Sequence, residues 1–218
     1  MSIQLVVFDV DGLLLNTESI AQEAWQVIGE KYGIMDFGSK TFLKVVCVQD
    51  PEATNIVCKD LEDREDALQI LHESRAYARE LLEYKVDVKL GVLEILQFLK
   101  QNHIKIAVAT STPKSLTIKR LRYLGLVDYF DAIFCGDDVK YRKPHPEIYL
   151  KAIKYFNVSP QDAIVIEDSP SGVEAAFRAD IPCIMVPDLI KAGKKQEQQT
   201  KYIAKSLLDV IEYMKHVL

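Results

Sequence analysis

Cysteine is scarce in this chain, and what there is of it is scattered. Cys47, Cys58, Cys135 and Cys183 are the only four among 218 residues, and none stands in a C-x-x-C spacing. That argues against a disulfide-stapled scaffold or a zinc ribbon and favours reduced thiols in a cytoplasmic setting. Positive charge is also in deficit. Lys and Arg number 27 against 32 Asp and Glu, a formal net charge of -5, so no global field exists to hold nucleic acid or an anionic membrane surface. No apolar run approaches membrane-spanning length, no basic region precedes the N-terminal apolar run, and Asp9 interrupts that run, which argues against a signal peptide. Internal repeats and low-complexity tracts are missing as well. The Lys- and Gln-rich stretch from Lys191 to Gln199 reads as a solvated surface loop. What remains is a globular chain, 49% hydrophobic, with enough apolar material for one domain carrying an insertion or for two small domains.

The most informative stretch comes first. Leu5-Val6-Val7-Phe8 is an apolar run of strand length that leads into Asp9-Val10-Asp11-Gly12. Strand side chains alternate, so two acids at i and i+2 project the same way past the strand's carboxyl end, while Gly12 permits a sharp turn beside them. Two like charges held so close call for a cation, and a hard divalent ion such as Mg²⁺ takes oxygen ligands. The same pattern also fits a simple Asp-Gly turn. The rest of the chain has to separate the two readings.

After this strand the pattern is helical for about 70 residues, an estimate whose ends can move by a few positions. Glu18 to Tyr32 reads as a helix stopped at Gly33, with Trp25 in a packing role, and Lys40 to Tyr84 keeps helical spacing, Pro51 opening one helix after Asp50. From Gly91 onward helices and strands alternate. Helices are predicted at Val92 to Asn102 and Pro113 to Leu124, then from Pro146, from Ser169-Pro170 and from Ser206. Strands are predicted at Ile104 to Thr110, Ala132 to Cys135, Ala163 to Ile166 and Cys183 to Val186. Alternation of this kind implies an α/β Rossmann-like parallel sheet, with residues 1–15 and 86–218 forming the core and residues 16–85 an inserted all-helical cap.

Ligands of such sheets sit outside the carboxyl ends of the strands. Those ends carry Asp9 and Asp11, then Thr110-Ser111-Thr112, then Gly136-Asp137-Asp138 with Lys143-Pro144-His145-Pro146 beyond, and finally Glu167-Asp168. Acids, hydroxyls and a lysine arriving on one rim from separate strands favour a site over a turn. Asp137 and Asp138 read as shaping a loop, and His145 as a surface residue. His72, His103 and His216 form no ligand pattern.

Asp9-x-Asp11-Gly12, Thr110, Lys143 before Pro144-x-Pro146, and Glu167-Asp168-Ser169-x-x-Gly172 occur in this order across nearly the whole chain. In these motifs the sequence resembles the haloacid dehalogenase superfamily, in the group related to β-phosphoglucomutase. The resemblance implies Asp9 as nucleophile, Asp11 as general acid and base, Thr110 and Lys143 as phosphate holders with the backbone at Ser111, and a Mg²⁺ site at Asp9, Asp11, Glu167 and Asp168. The implied activity is hydrolysis of a small phosphorylated metabolite (a sugar, polyol or nucleoside phosphate) through an aspartyl phosphate, with the cap gating the site; separately, a monomer is expected. Asp11 would need surroundings that keep it protonated before the first step.

Departures from the resemblance refine it. Mutases of this group use a cap histidine and a Gly-x-x-Arg element, where this chain has Ser19-Ile20-Ala21-Gln22 and Lys44-Val45-Val46-Cys47-Val48-Gln49. Hydrolysis needs less grip on a second phosphate, so a phosphatase is favoured over a mutase. The second aspartate argues against a dehalogenase. A phospho-accepting receiver module shares the Asp, Thr and Lys chemistry, but it carries an acid pair before the acceptor strand and no helical insertion. Asp180 stands where relatives often have glycine, and Asp tolerates the left-handed conformation required there. Leu90 likewise stands where they often have proline.

Overall fold

The computed structural model describes residues 3–62 and 64–218, which divide into two compact units, residues 1–15 with 88–218 and residues 16–87. In the first unit, β1 (Leu5–Phe8), β2 (Lys105–Ala109), β3 (Ala132–Phe134), β4 (Ala163–Glu167), β5 (Cys183–Met185) and β6 (Tyr202–Ile203) form one sheet in the order β3-β2-β1-β4-β5-β6. All of its pairings are parallel. The β1 strand is completely buried, as expected where helices cover both faces of a sheet. Leu5 and Val7 share a core with Ala107, Ala109, Ala163 and Val165, packed under α7 (Glu147–Phe156) and α8 (Pro170–Arg178). Val6, Phe8, Ile106 and Val108 alternate to the opposite face. On β2 lies α5 (Val92–Gln101), and α10 (Leu207–Met214) packs against α5.

The topology sets the place of a site. From β1 the sheet grows outward through β2 and β3 on one side and through β4, β5 and β6 on the other, so the switch in winding falls at the β1/β4 boundary. Register refines this further. Phe8 pairs with Ile166, so Asp9 and Glu167 follow side by side, on the face already occupied by Val7 and Val165. Just after Asp9, Gly12 takes φ +83°, in the left-handed region that glycine enters without steric cost.

The second unit is helical: α1 (Thr17–Lys31), a π-helical turn (Phe37–Thr41), α2 (Phe42–Val45), α3 (Glu52–Asp60) and α4 (Ala67–Leu81). Ile20 and Ala24 of α1 pack on Ala78 and Leu81 of α4. Trp25 is a packing residue. Its ring stacks on Phe37 at 5.0 Å and meets Phe42 edge-on at 5.2 Å.

One predicted element is corrected. Gly193 and Lys194–Gln199 form a capped helix, α9, rather than a loop; the Gln196 side chain accepts the Gly193 N–H at 3.2 Å, and Lys195 and Gln199 both reach Glu174. Polar composition hid it because its contacts are hydrogen bonds and ion pairs instead of an apolar stripe. The short strand β6 was equally invisible, its two residues being too few to show alternation. Asp180 does adopt φ +57° at the end of α8.

Candidate active site

Four segments meet at the carboxyl edge of the sheet: the tips of β1, β2 and β4, and the loop that carries Lys143. The ammonium of Lys143 is the hub. Its Nζ donates to Asp9 Oδ1 at 2.6 Å, to Glu167 Oε1 at 2.5 Å and to the carbonyl of Ala109 at 2.8 Å, and the side chain is only 4% exposed. Parallel register brings two carboxylates together on adjacent strands, which is unfavourable without a counter-charge. Lys143 supplies that charge from the third strand's loop.

Glu167 is fully engaged. Oε1 accepts from Lys143 and from the Tyr149 hydroxyl at 2.5 Å, while Oε2 accepts the N–H groups of Asp168 and Ser169 at 3.2 and 3.3 Å and the Ser169 hydroxyl at 3.1 Å. A carboxylate has about four lone-pair sites, so this group is saturated by protein donors. Ser169 also caps α8, accepting the Gly172 N–H at 3.1 Å. Gly172 has to be glycine for reasons of space: a Cβ there would lie 1.9 Å from the Glu167 carboxyl.

Burial decides the electrostatics. Loss of water raises the Asp9 carboxyl to about 7, Glu167 and Asp11 push it the same way, and the charge of Lys143 opposes them. Burial by itself would lower Lys143, but Asp9 and Glu167 outweigh it and hold the ammonium well above its ordinary value. Tyr149 is raised by burial and then by Glu167, so it stays a neutral hydrogen-bond donor. Even with Lys143 present, Asp9 is short of positive charge.

Oxygen atoms of Asp9, Glu167 and Asp168 all lie within 4.8 Å of one another, and the three residues are buried. Asp9 and Asp168 offer this site hard carboxylate oxygens with no sulfur or imidazole, which fits Mg²⁺ chemistry, while Glu167, its lone pairs taken by protein donors, lines it. Together with the raised Asp9 this makes a coherent cation site.

The Asp11 carboxyl lies elsewhere. Its Oδ2 accepts from the Thr112 hydroxyl at 2.6 Å and the Thr110 hydroxyl at 3.3 Å, and its Oδ1 from Arg120 Nη1 at 3.1 Å. Thr110 is buried and its Oγ1 also accepts the Thr112 N–H, so the β2 tip is built around Asp11 as well as around any phosphate. Ser111, on the same tip, is half-buried. Asp137 and Asp138 accept the N–H groups of Lys114 and Cys135 at 3.0 and 2.9 Å, a loop-shaping role. The side chain of His145 is half exposed, accepting the Glu147 N–H at 3.2 Å.

Sequence reasoning missed Tyr149 and Arg120, and placed Thr112 on the rim without giving it a role. Both Arg120 and Tyr149 had a faint signal. Arg120 falls on the buried stripe of α6 (Lys114–Tyr123) with Thr117 and Leu121, where a charge requires a partner. Tyr149 lies on the buried face of α7 beside Ile148, Ala152 and Ile153, where a hydroxyl must be satisfied.

Comparison with known proteins places this geometry. A haloacid dehalogenase-like hydrolase family model matches residues 6–186. A phosphorylated carbohydrates phosphatase of Thermotoga maritima is 39% identical over 183 residues, covering 82% of each chain. The validoxylamine A 7'-phosphate phosphatase of Streptomyces hygroscopicus is 32% identical, covering 83% of this chain and 84% of its own. The solved β-phosphoglucomutase of Clostridium difficile superposes with a TM-score of 0.74 at 26% identity, over 98% of this chain and 96% of that one. Sheet order, acidic strand tips, buried lysine and sequence similarity agree, and the chain belongs to the haloacid dehalogenase-like hydrolase family.

Proposed function

We propose that this hydrolase cleaves phosphoric monoesters of small metabolites, phosphorylated carbohydrates foremost, with Asp9 as nucleophile and Mg²⁺ as cofactor. The observation that carries the reading is the Lys143 hub: one buried ammonium shared by Asp9 at 2.6 Å and Glu167 at 2.5 Å, beside hydroxyls from the β2 tip. The phosphatase names of the Thermotoga and Streptomyces relatives point to the same substrate class.

Monoester hydrolysis is among the slowest reactions in water, with accelerations of up to about 10²¹ needed from enzymes, so covalent and electrostatic help act together. In the first step an Asp9 oxygen attacks phosphorus, the bond to the ester oxygen breaks, and Asp11 gives a proton to the departing alkoxide. In the second, Asp11 takes a proton from water, the resulting oxygen attacks phosphorus, and the bond to Asp9 breaks to release inorganic phosphate. Lys143 and the hydroxyl of Thr110, with the backbone at Ser111, counter the charge on the transferring oxygens. Asp9 and Asp168 would hold the metal, with Glu167 orienting Lys143 and Ser169, while the Asp11 carboxyl, expected as a further ligand, is engaged by Thr112 and Arg120. When bound, Mg²⁺ supplies positive charge that offsets the repulsion between Asp9 and an incoming dianion.

Absence of the cap histidine and of a Gly-x-x-Arg element favours hydrolysis over phosphoryl return to the sugar. The test is a panel of sugar, polyol and nucleoside phosphates assayed with Mg²⁺ for released phosphate. Repeated turnover on at least one is expected. Stoichiometric self-labelling without turnover would favour a receiver-like module, and an isomeric sugar phosphate as product would favour a mutase.

A further inference from the structure

Arg120 is a buried charged residue beside Asp11 that the mechanism above leaves unused. It projects from the buried face of α6, its side chain is 9% exposed, and its Nη1 reaches Asp11 Oδ1 at 3.1 Å. Burying a guanidinium is costly unless it is paired, and Arg stays charged under all ordinary conditions. The other Asp11 oxygen is held by Thr112 at 2.6 Å and, more loosely, by Thr110 at 3.3 Å. Both oxygens are therefore anchored, one by a helix and one by a strand tip, while Asp9, two residues earlier, is anchored separately by Lys143. The pairing is also incomplete on the arginine side. Its Nε is buried and without a hydrogen-bond partner among the described residues. A buried donor left unsatisfied calls for an explanation, and a guanidinium placed for the sake of Asp11, at the expense of its own donors, provides one.

We propose that Arg120 is a positioning residue for the reaction: with Thr112 it fixes the seat from which the Asp11 carboxyl moves to the leaving oxygen and to the attacking water. This rests on the phosphatase reading above. Arg120 acts through Asp11 and does not grip the phosphoryl group, so its removal disturbs chemistry more than binding. A lysine at the same position keeps the charge but loses the planar fork and part of the reach.

The experiment is a double-mutant cycle with steady-state kinetics on the best ester of the panel, accompanied by calorimetric titration with inorganic phosphate and by thermal melting. Arg120→Gln is expected to lower kcat about tenfold to a hundredfold, part of what general acid–base catalysis supplies, with KM within about threefold. Arg120→Lys recovers part of the loss. In an Asp11→Asn background, Arg120→Gln has almost no further effect, because residues acting as a unit are non-additive. Phosphate binding stays at the wild-type level. Thr112→Val repeats the pattern more weakly, and it keeps the test decisive if Arg120→Gln folds poorly. Full activity in Arg120→Gln, an equal loss in the Asp11→Asn background, or a tenfold weaker phosphate affinity would each overturn the positioning role. A failure of the phosphatase reading looks different: Asp9→Asn would then retain turnover, whatever Arg120 does.

Discussion

The α/β unit and the helical unit handle charge in opposite ways. At the strand tips, Asp9, Lys143 and Glu167 have side chains 10%, 4% and 0% exposed and are locked by mutual bonds. In the helical unit the ion pairs Lys31–Glu73, Lys40–Asp36 and Arg75–Asp50 lie at the surface, with Lys31 60% exposed. Surface pairs gain little because water already solvates both partners and salt screens them. Buried charges are expensive, and removing one partner strands the other. The contrast teaches that the first unit carries charges it would not keep for stability alone, which is the mark of a site where chemistry needs them.

Four experiments would break or sharpen that contrast. The largest effect belongs to Asp9→Asn, which should cut phosphate release by about 10³-fold or more, the scale on which loss of a nucleophile is felt, with the far-ultraviolet spectrum unchanged. Residual activity near the wild-type level would show that the rim carboxylates are not the reacting groups. Next comes Lys143→Met. Leaving Asp9 and Glu167 buried without their counter-ion should cost about 3–5 kcal/mol in denaturant unfolding and also abolish turnover. A loss of activity with unchanged stability would mean that the hub is less buried than it appears in the fold.

Metal removal tests the same rim from outside. EDTA should silence the enzyme and Mg²⁺ restore it. Mg²⁺ should also raise the melting midpoint of the wild type but not of an Asp9→Asn/Asp168→Asn double variant, since a ligand stabilises only the state that binds it. An equal rise in both proteins would place the ion elsewhere. The smallest effect is expected in the helical unit. Hydrogen bonds from Lys31, Gln69 and Tyr32 lower Glu73 to about 2 from an ordinary value of 4.5. A depressed acid adds stability above its unfolded value and loses it as pH falls through the folded one. Glu73→Gln should therefore be slightly less stable than wild type at neutral pH, with the difference closing between pH 4.5 and about 2. A gap that persists at pH 2 would assign the effect to packing.

Legibility in the sequence followed the range of the interactions involved. Buried parallel strands announce themselves as β-branched runs, and helix starts at Pro51, Pro146 and Pro170 are local signals, so the Rossmann-like class could be read directly. Asp9, Thr110 and Glu167 were legible because they terminate such runs. Tyr149 and Arg120 were not, because each has a partner far away in sequence: Tyr149 meets Glu167 only after α7 docks on the sheet, and Arg120 meets Asp11 only after α6 does. The contacts of Asp11 were equally hidden. The fold surrounds it with a guanidinium and two hydroxyl donors, contacts that no spacing rule could have announced. The Lys191 to Gln199 stretch failed for a different reason, polar helices lacking the apolar stripe that periodicity detects.

Strand β1 precedes the other strands of the sheet in the chain, yet Phe8 finds its neighbours at Val108 on one side and Ile166 on the other. During synthesis its four apolar residues wait for β2 at residues 105–108, and one edge stays open until β4 follows at 163–166; nascent strands in that condition are prone to sticking. The centre is complete only when β4 slots in beside β1 and brings Glu167 against Asp9. Chains cut short before Ile166 should therefore be inert and aggregation-prone, however many of the N-terminal motifs they retain.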